Sequence, residues 1–141
     1  MASEANTALV LRHIEDTFNS KAGRLGADRY WAPRVVNFGN EISREQLGAL
    51  FDQLLEAFPD WHFTVEHVVA DREWVVCATT MRGTYRAATL AMIADVAPTD
   101  QPVEWRQNHW FRVADGRIAE HFAYRDDLGL RNQVLSATTS D

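Results

Sequence analysis

Apolar residues recur at helical spacing in the N-terminal part of the chain. Residues 5–20 carry one apolar stripe, which predicts an amphipathic helix. A short helical turn is expected over Gly26–Trp31. Ser43 and Gln46 have the spacing of a capping box, and the residues after them repeat apolar side chains every three or four positions until Pro59. A second amphipathic helix is therefore predicted between Ser43 and Pro59.

Alternating apolar and polar positions, which are typical of strands, replace this pattern in the rest of the chain. A short strand is expected at residues 35–38, and further strands are expected at about 62–70, 73–86, 89–97, 103–113 and 117–126. Helices grouped ahead of strands predict an α+β domain rather than βαβ units. We expect a cone-shaped α+β barrel, in which three N-terminal helices pack on a strongly curved, mostly antiparallel sheet and enclose a pocket. Residues 136–141 would form a frayed tail.

The predicted strand 103–113 carries polar residues on a face that is otherwise apolar. On this face Gln107 and His109 lie between Trp105 and Phe111. Such a face is typical of a strand that lines a cavity, but both polar residues fit equally well as core residues satisfied by their neighbours. His109 is the leading acid–base candidate, because an imidazole titrates near neutral pH. Gln107 would hold a carbonyl or enolate oxygen.

Other polar and aromatic side chains complete the predicted site. Asp126, at the end of the last predicted strand, is a second catalytic candidate if a bulge turns it inward, and otherwise belongs to a surface turn. His121 has the opposite strand parity from Ile118, so alternation alone does not assign the inner face there. Six residues are predicted to contact the substrate, and the two tryptophans among them are suited to stacking on a flat ring. They are Asn37, Gln107, Trp31, Trp105, Tyr124 and His121.

Composition and charge argue against several classes of function. With 141 residues, of which 46% are hydrophobic and 24% charged, the chain is expected to form one soluble domain over residues 1–141. The formal net charge of −6 and the lack of a basic cluster argue against nucleic-acid and membrane partners. No signal peptide and no apolar run of membrane-spanning length is recognised, so a cytoplasmic location is expected. The histidines lack metal-ligand spacing and Cys77 stands in an apolar run, so we expect neither a metal site nor a nucleophilic thiol.

Four short motifs stand in order along the chain. They are Phe58-Pro59-Asp60-Trp61, Arg82-Gly83-Thr84-Tyr85, the pair Pro98-Thr99 and Pro102-Val103, and Asp115-Gly116-Arg117-Ile118-Ala119-Glu120-His121-Phe122. Together they resemble the SnoaL-like polyketide cyclase family of the nuclear-transport-factor-2-like superfamily, over about residues 8–133. The resemblance implies the cone-shaped fold and ring closure of a hydrophobic carbonyl compound by intramolecular aldol condensation without metal or cofactor. It also implies a homodimer and a role as a polyketide or ester cyclase in secondary metabolism.

The resemblance assigns roles to individual residues. Asn37, Gln107 and His109 match the family's side chains that hold the developing enolate, whereas the family's catalytic aspartate falls on Ala123. An alanine cannot move a proton, and three alternatives stay open. The base has moved to His109 or Asp126, or the pocket serves another reaction such as a hydroxylation or dehydration. In the third alternative the chain binds a hydrophobic ligand without catalysis.

Overall fold

Four α-helices and one six-stranded sheet make up residues 2–139, the part of the chain that the computed structural model describes. None of the helices in this range is both long and apolar enough to cross a membrane. In chain order the elements are α1 (Ala2–His13), a π-helical segment (Ile14–Asn19), α2 (Arg24–Tyr30), β1 (Trp31–Asn37), β2 (Asn40–Ser43), α3 (Arg44–Ala57), β3 (His62–Asp71), β4 (Trp74–Thr84), β5 (Pro102–Ala114), β6 (Arg117–Arg125) and α4 (Asp127–Thr139).

The strands pair in the order β2-β1-β6-β5-β4-β3. β1 runs parallel to β6, and all other neighbouring strands of this sheet are antiparallel. The edge strands β2 and β3 do not pair with each other, so the sheet curls without closing. α1 packs against β3 and β4, α3 against β1, and α4 against β5. The predicted cone-shaped α+β architecture with a mostly antiparallel sheet is confirmed.

α3 begins at the predicted capping box. The Ser43 side chain accepts a hydrogen bond from Gln46 N (3.1 Å), and Gln46 Oε1 accepts one from Ser43 N (2.9 Å). These two bonds satisfy backbone donors at the start of the helix. Leu47 and Phe51, one turn apart, are buried. The cap and the apolar stripe together direct the apolar side of α3 toward the sheet.

The early strand is longer than the sequence predicts. β1 begins at Trp31, which was expected to end a helical turn, and it continues to Asn37. A turn at Phe38-Gly39 then leads into β2, a strand that the sequence analysis did not predict. Glycine suits this turn because the backbone there has a φ of 80°. Trp31 therefore lies in the sheet and not on a helix.

The predicted strand at residues 89–97 is wrong. Ile93 and Val96 are buried, and their backbone N–H groups donate to carbonyls three residues earlier. The Tyr85 hydroxyl shares its proton between the carbonyls of Ile93 (3.0 Å) and Val96 (2.6 Å), which holds the segment folded back. The apolar residues recur every three positions in successive turns and do not alternate. Residues 85–101 form an irregular loop between β4 and β5.

The C-terminal end also differs from the expectation. The Asp126 side chain accepts a hydrogen bond from the backbone N–H three residues later (2.9 Å) and caps α4, a helix that was not predicted. Leu130 and Val134, one turn apart on α4, are fully buried. The predicted frayed tail is wrong for residues 136–139, which belong to α4. Residues 140–141 of that prediction lie outside the described part of the chain.

A β-bulge in β6 explains the parity of His121. Arg112 of β5 pairs with Glu120, whereas the next residue of β5 pairs with Ile118, which leaves Ala119 as the extra residue. A shift of one residue moves all later side chains to the other face of the sheet. Ile118 and His121 therefore both face inward although their parities differ.

The outer face of the sheet carries an aromatic cluster. Neighbouring ring centroids in it are 5.5 to 6.3 Å apart, and its members are Trp74, Trp110, Phe122 and Tyr124. Trp110 is exposed there. The homodimer itself stays a prediction.

Candidate active site

A cavity of about 360 Å³ lies between the inner face of the sheet, the π-helical segment, α3 and the loop 85–101. This volume is typical of small-molecule sites. The walls are mostly aromatic and aliphatic, so the polar groups among them stand out. Six residues of the predicted site line the cavity: Trp31, Asn37, Trp105, Gln107, His109 and His121.

Four of these side chains form one continuous hydrogen-bonded chain, which we call the histidine chain. Gln107 Oε1 lies 2.6 Å from His109 Nε2, and His109 Nδ1 lies 2.8 Å from His121 Nε2. His121 Nδ1 in turn lies 2.9 Å from Asn37 Oδ1. β5 supplies the first two residues, β6 the third and β1 the fourth. The sheet order β1-β6-β5 thus brings together residues that are 84 positions apart in sequence.

The histidine chain needs a definite number of hydrogens. Each of its three gaps requires one, and an amide oxygen stands at both ends, so all three must come from the two imidazoles. Two neutral imidazoles carry only two N–H hydrogens. The pair is therefore either protonated once, with both amide oxygens facing it, or neutral, with the amide of Asn37 or Gln107 turned so that an NH₂ group faces a ring nitrogen.

Burial favours the neutral pair. Burial, with the positive charge of Arg125 as the second cause, lowers the pKa of His109 to about 3. Burial also holds the pKa of His121 well below its usual value, with His109 as the next cause. Both rings are neutral at neutral pH. One ring nitrogen at an end of the histidine chain then offers its lone pair to an N–H or C–H donor.

Three donors on side chains that line the cavity lack partners. Gln107 Nε2, Trp105 Nε1 and Trp61 Nε1 are buried and make no hydrogen bond within residues 2–139. Leaving a buried donor unpaired costs about 1–3 kcal/mol. A ligand that brings acceptor oxygens to these groups would remove that cost.

The sequence analysis missed two basic residues of the cavity, Arg125 and His13. The guanidinium carbon of Arg125 lies 5.4 Å from the ring centroid of Trp105 and 5.2 Å from that of Phe38, within the range of cation–π contacts. Strand parity counted beyond the bulge in β6 would have found Arg125. His13 lies on α1, where no sequence pattern separates a histidine that faces a cavity from one in the core.

Comparison with known families decides the affiliation of the chain. The family model described as SnoaL-like polyketide cyclase matches residues 8–134. The chain belongs to the SnoaL-like polyketide cyclase family. No curated protein shows a significant match to it.

Several solved structures resemble the chain over almost its whole length. AclR from Streptomyces galilaeus, a proposed hydroxylase, is 25% identical with a TM-score of 0.79, and the match covers 95% of this chain and 83% of AclR. A proposed SnoaL-like polyketide cyclase from Jannaschia sp. CCS1 is 25% identical with a TM-score of 0.79, covering 99% and 94%. IdmH from Streptomyces antibioticus, a proposed polyketide cyclase, is 24% identical with a TM-score of 0.73, covering 93% and 98%, and supports the fold alone.

This SnoaL-like chain has no carboxylate where the family resemblance places the catalytic aspartate. Ala123 pairs with His109 across β5 and β6. Asp126 does not take over this position, because its side chain is exposed and caps α4 outside the cavity lining. Tyr124 is 69% exposed and belongs to the aromatic cluster on the outer face, so it does not reach the cavity either. The acid–base groups nearest to Ala123 are those of the histidine chain.

Proposed function

We propose that the chain is a cofactor-independent acid–base enzyme that acts on a hydrophobic carbonyl compound, by intramolecular aldol cyclisation or a closely related reaction. The observation that carries this proposal is the histidine chain, set in the wall of an apolar cavity and ending in an amide whose Nε2 has no partner within residues 2–139. A base and an oxygen-binding donor thus stand side by side, as enolate chemistry requires.

The proposed reaction moves one proton and one electron pair at a time. A ring nitrogen of the histidine pair, with His109 as the base, takes the proton from the carbon next to a carbonyl group. The electron pair of the broken C–H bond shifts to the carbonyl oxygen, and Gln107 Nε2, on the amide beside His109, donates a hydrogen bond to the resulting enolate. The enolate carbon then attacks a second carbonyl carbon, and the new alkoxide takes the proton back from the imidazolium.

Protonation of the histidine pair also changes the hydrogen bonds of the two amides. The protonated pair satisfies amide oxygens at both ends of the histidine chain, so both NH₂ groups are released toward the cavity when the enolate forms. In the empty cavity the pKa of His109, about 3, makes it a weak base. An enolate beside the ring would raise this pKa, because a neighbouring negative charge favours imidazolium.

A second candidate function is ligand binding without chemistry. Two observations favour it: Ala123 supplies no carboxylate, and both nitrogens of His109 already have partners. The 25% identity to AclR, a proposed hydroxylase, is also compatible with a hydroxylation in place of a cyclisation.

Proton exchange separates catalysis from binding. The protein would be incubated with aromatic β-keto esters in D₂O, with deuterium uptake followed by mass spectrometry and binding followed by tryptophan fluorescence. Exchange or conversion above the uncatalysed rate supports the enzyme. Binding without either would overturn the acid–base proposal in favour of a binding domain.

Replacing Ala123 by aspartate is expected to raise the exchange rate at least tenfold. Opposite residues in neighbouring strands have Cβ atoms about 5 Å apart, so the new carboxylate would stand beside His109. It would raise the pKa of the imidazole or act as a base itself. Ala123→Asn is the matched control, because it has the same shape without the charge. Equal rates in the two variants would show that charge at this position does not matter.

A further inference from the structure

A third histidine lines the cavity apart from the histidine chain. His13 ends α1 and is only 2% exposed. The ring centroid of Trp31 lies 5.3 Å from that of His13 and 5.9 Å from that of His121. The Phe111 ring lies 5.8 Å from His13 and 5.0 Å from His121. Within the described residues no hydrogen bond joins His13 to the histidine chain, so the cavity has two separate polar sites with aromatic rings beside both.

Two neighbours determine which nitrogen of His13 carries the hydrogen. Trp31 Nε1, which can only donate, lies 3.4 Å from His13 Nδ1, and Thr17 Oγ1 lies 2.8 Å from the same nitrogen. A hydrogen on Nδ1 would face the indole N–H, so Nδ1 accepts and the hydrogen resides on Nε2. Burial lowers the pKa of His13 to about 3, and the ring therefore keeps a single N–H at neutral pH.

The backbone around Thr17 holds this arrangement in place. His13 and Thr17 lie where α1 changes into the π-helical segment, and the Gly23 N–H donates to the Thr17 carbonyl (3.0 Å). A Cβ atom on Gly26 would stand 1.9 Å from Thr17 Oγ1, so only glycine lets α2 approach so closely. Short π-helical segments occur frequently at functional sites. The helix irregularity and the close approach together fix the hydroxyl against His13.

His13 lines the cavity. Its Nδ1 contacts Trp31 and Thr17, and no hydrogen bond to its Nε2 is found in the described part of the chain. We propose that His13 is a substrate-binding residue whose Nε2–H donates to a carbonyl oxygen of the ligand.

This contact adds one requirement on the ligand. One carbonyl oxygen would meet Gln107 Nε2 beside the histidine chain, and a second would meet His13. We therefore expect a ligand with two acceptor oxygens to bind more tightly than a similar ligand with one. The inference rests on the proposed function to the extent that both need a ligand in this cavity.

A pair of flat probes tests the contact. 9,10-Anthraquinone has carbonyls on opposite edges, whereas 9-fluorenone has one, and both dissociation constants can be measured by quenching of tryptophan fluorescence. His13→Leu is expected to weaken anthraquinone binding about tenfold, the usual cost of leaving one ligand acceptor unpaired, and to change fluorenone binding less than twofold. His13→Gln, which keeps a donor near the Nε2 position, should recover part of the anthraquinone affinity.

The outcomes separate this inference from the proposed function. Equal weakening of both probes by His13→Leu, or no weakening of either, would overturn the His13 contact alone. Failure of both probes to bind the wild-type protein would count against the contact and also against a carbonyl ligand in the cavity. Nitrogen NMR adds a readout that a merely structural role would not move: the Nε2–H resonance of His13 should shift when anthraquinone binds and stay in place with fluorenone.

Discussion

Replacing His109 by glutamine is expected to lower the rate of C–H exchange by about 10² to 10⁴, the usual loss when a positioned base is removed. Glutamine retains polar groups that can hydrogen-bond to Gln107, so the affinity for a β-keto ester should change much less than the rate. The measurement is deuterium uptake at saturating ester, with binding followed separately. A large fall in rate at nearly constant affinity would identify His109 as a group that acts on the reacting atoms.

The chain provides a matched control for this substitution. His67 lies in β3 and is exposed to solvent, so His67→Gln makes the same chemical change away from the cavity. It should leave exchange unchanged. If His109→Gln exchanged as fast as His67→Gln, the base would have to lie elsewhere, and the histidine chain would be a structural network.

Strand alternation predicted the inner face of β5 because that pattern is local. Gln107 and His109 stand on the cavity wall as the alternation in residues 103–113 implies, and a regular strand needs nothing more than its own sequence to place them. The same rule failed in β6, where a bulge at Ala119 changes the face. A bulge depends on pairing with a neighbouring strand, which a single strand's sequence does not contain.

Tertiary contacts account for the remaining differences. Residues 89–97 are as apolar as a strand, but the Tyr85 hydroxyl and successive turns fold them over the cavity. Asp126 is a carboxylate at the end of the last strand, where a catalytic group could lie, yet it is exposed and caps α4. The hydrogen bonds of His13 Nδ1 depend on Thr17 in the π-helical segment and on Trp31 in β1. Each outcome depends on contacts with other parts of the chain or on a helix irregularity.

Acid is expected to destabilise the protein steeply below about pH 6.5. His13 and His109 have pKa values lowered to about 3, mainly by burial, and the pKa of His121 is also well below its usual value. In the unfolded chain these histidines titrate near pH 6.5. Between these values the unfolded state binds more protons than the folded state, so the free energy of unfolding falls as the pH falls.

The expected loss is large for a domain of this size. Each neutral buried histidine contributes about 1.4 kcal/mol per pH unit once its unfolded form is fully protonated, and three contribute about 4 kcal/mol per unit. Because domains are stable by only about 5–15 kcal/mol, half-unfolding is expected between about pH 4 and 5. Urea unfolding at a series of pH values from 7.5 downward would measure the slope.

The pH window distinguishes the histidines from the carboxylates. Asp95, whose pKa is lowered to about 2 first by its hydrogen bonds with Arg131, loses its contribution only below about pH 4. A double variant with His109→Gln and His121→Gln should therefore flatten the stability curve between about pH 6 and 5 to roughly one third of its wild-type slope. A wild-type stability that stayed constant from pH 7 to 5 would mean that the cavity histidines take up protons in the folded state. The lowered pKa values of the cavity histidines would then be excluded.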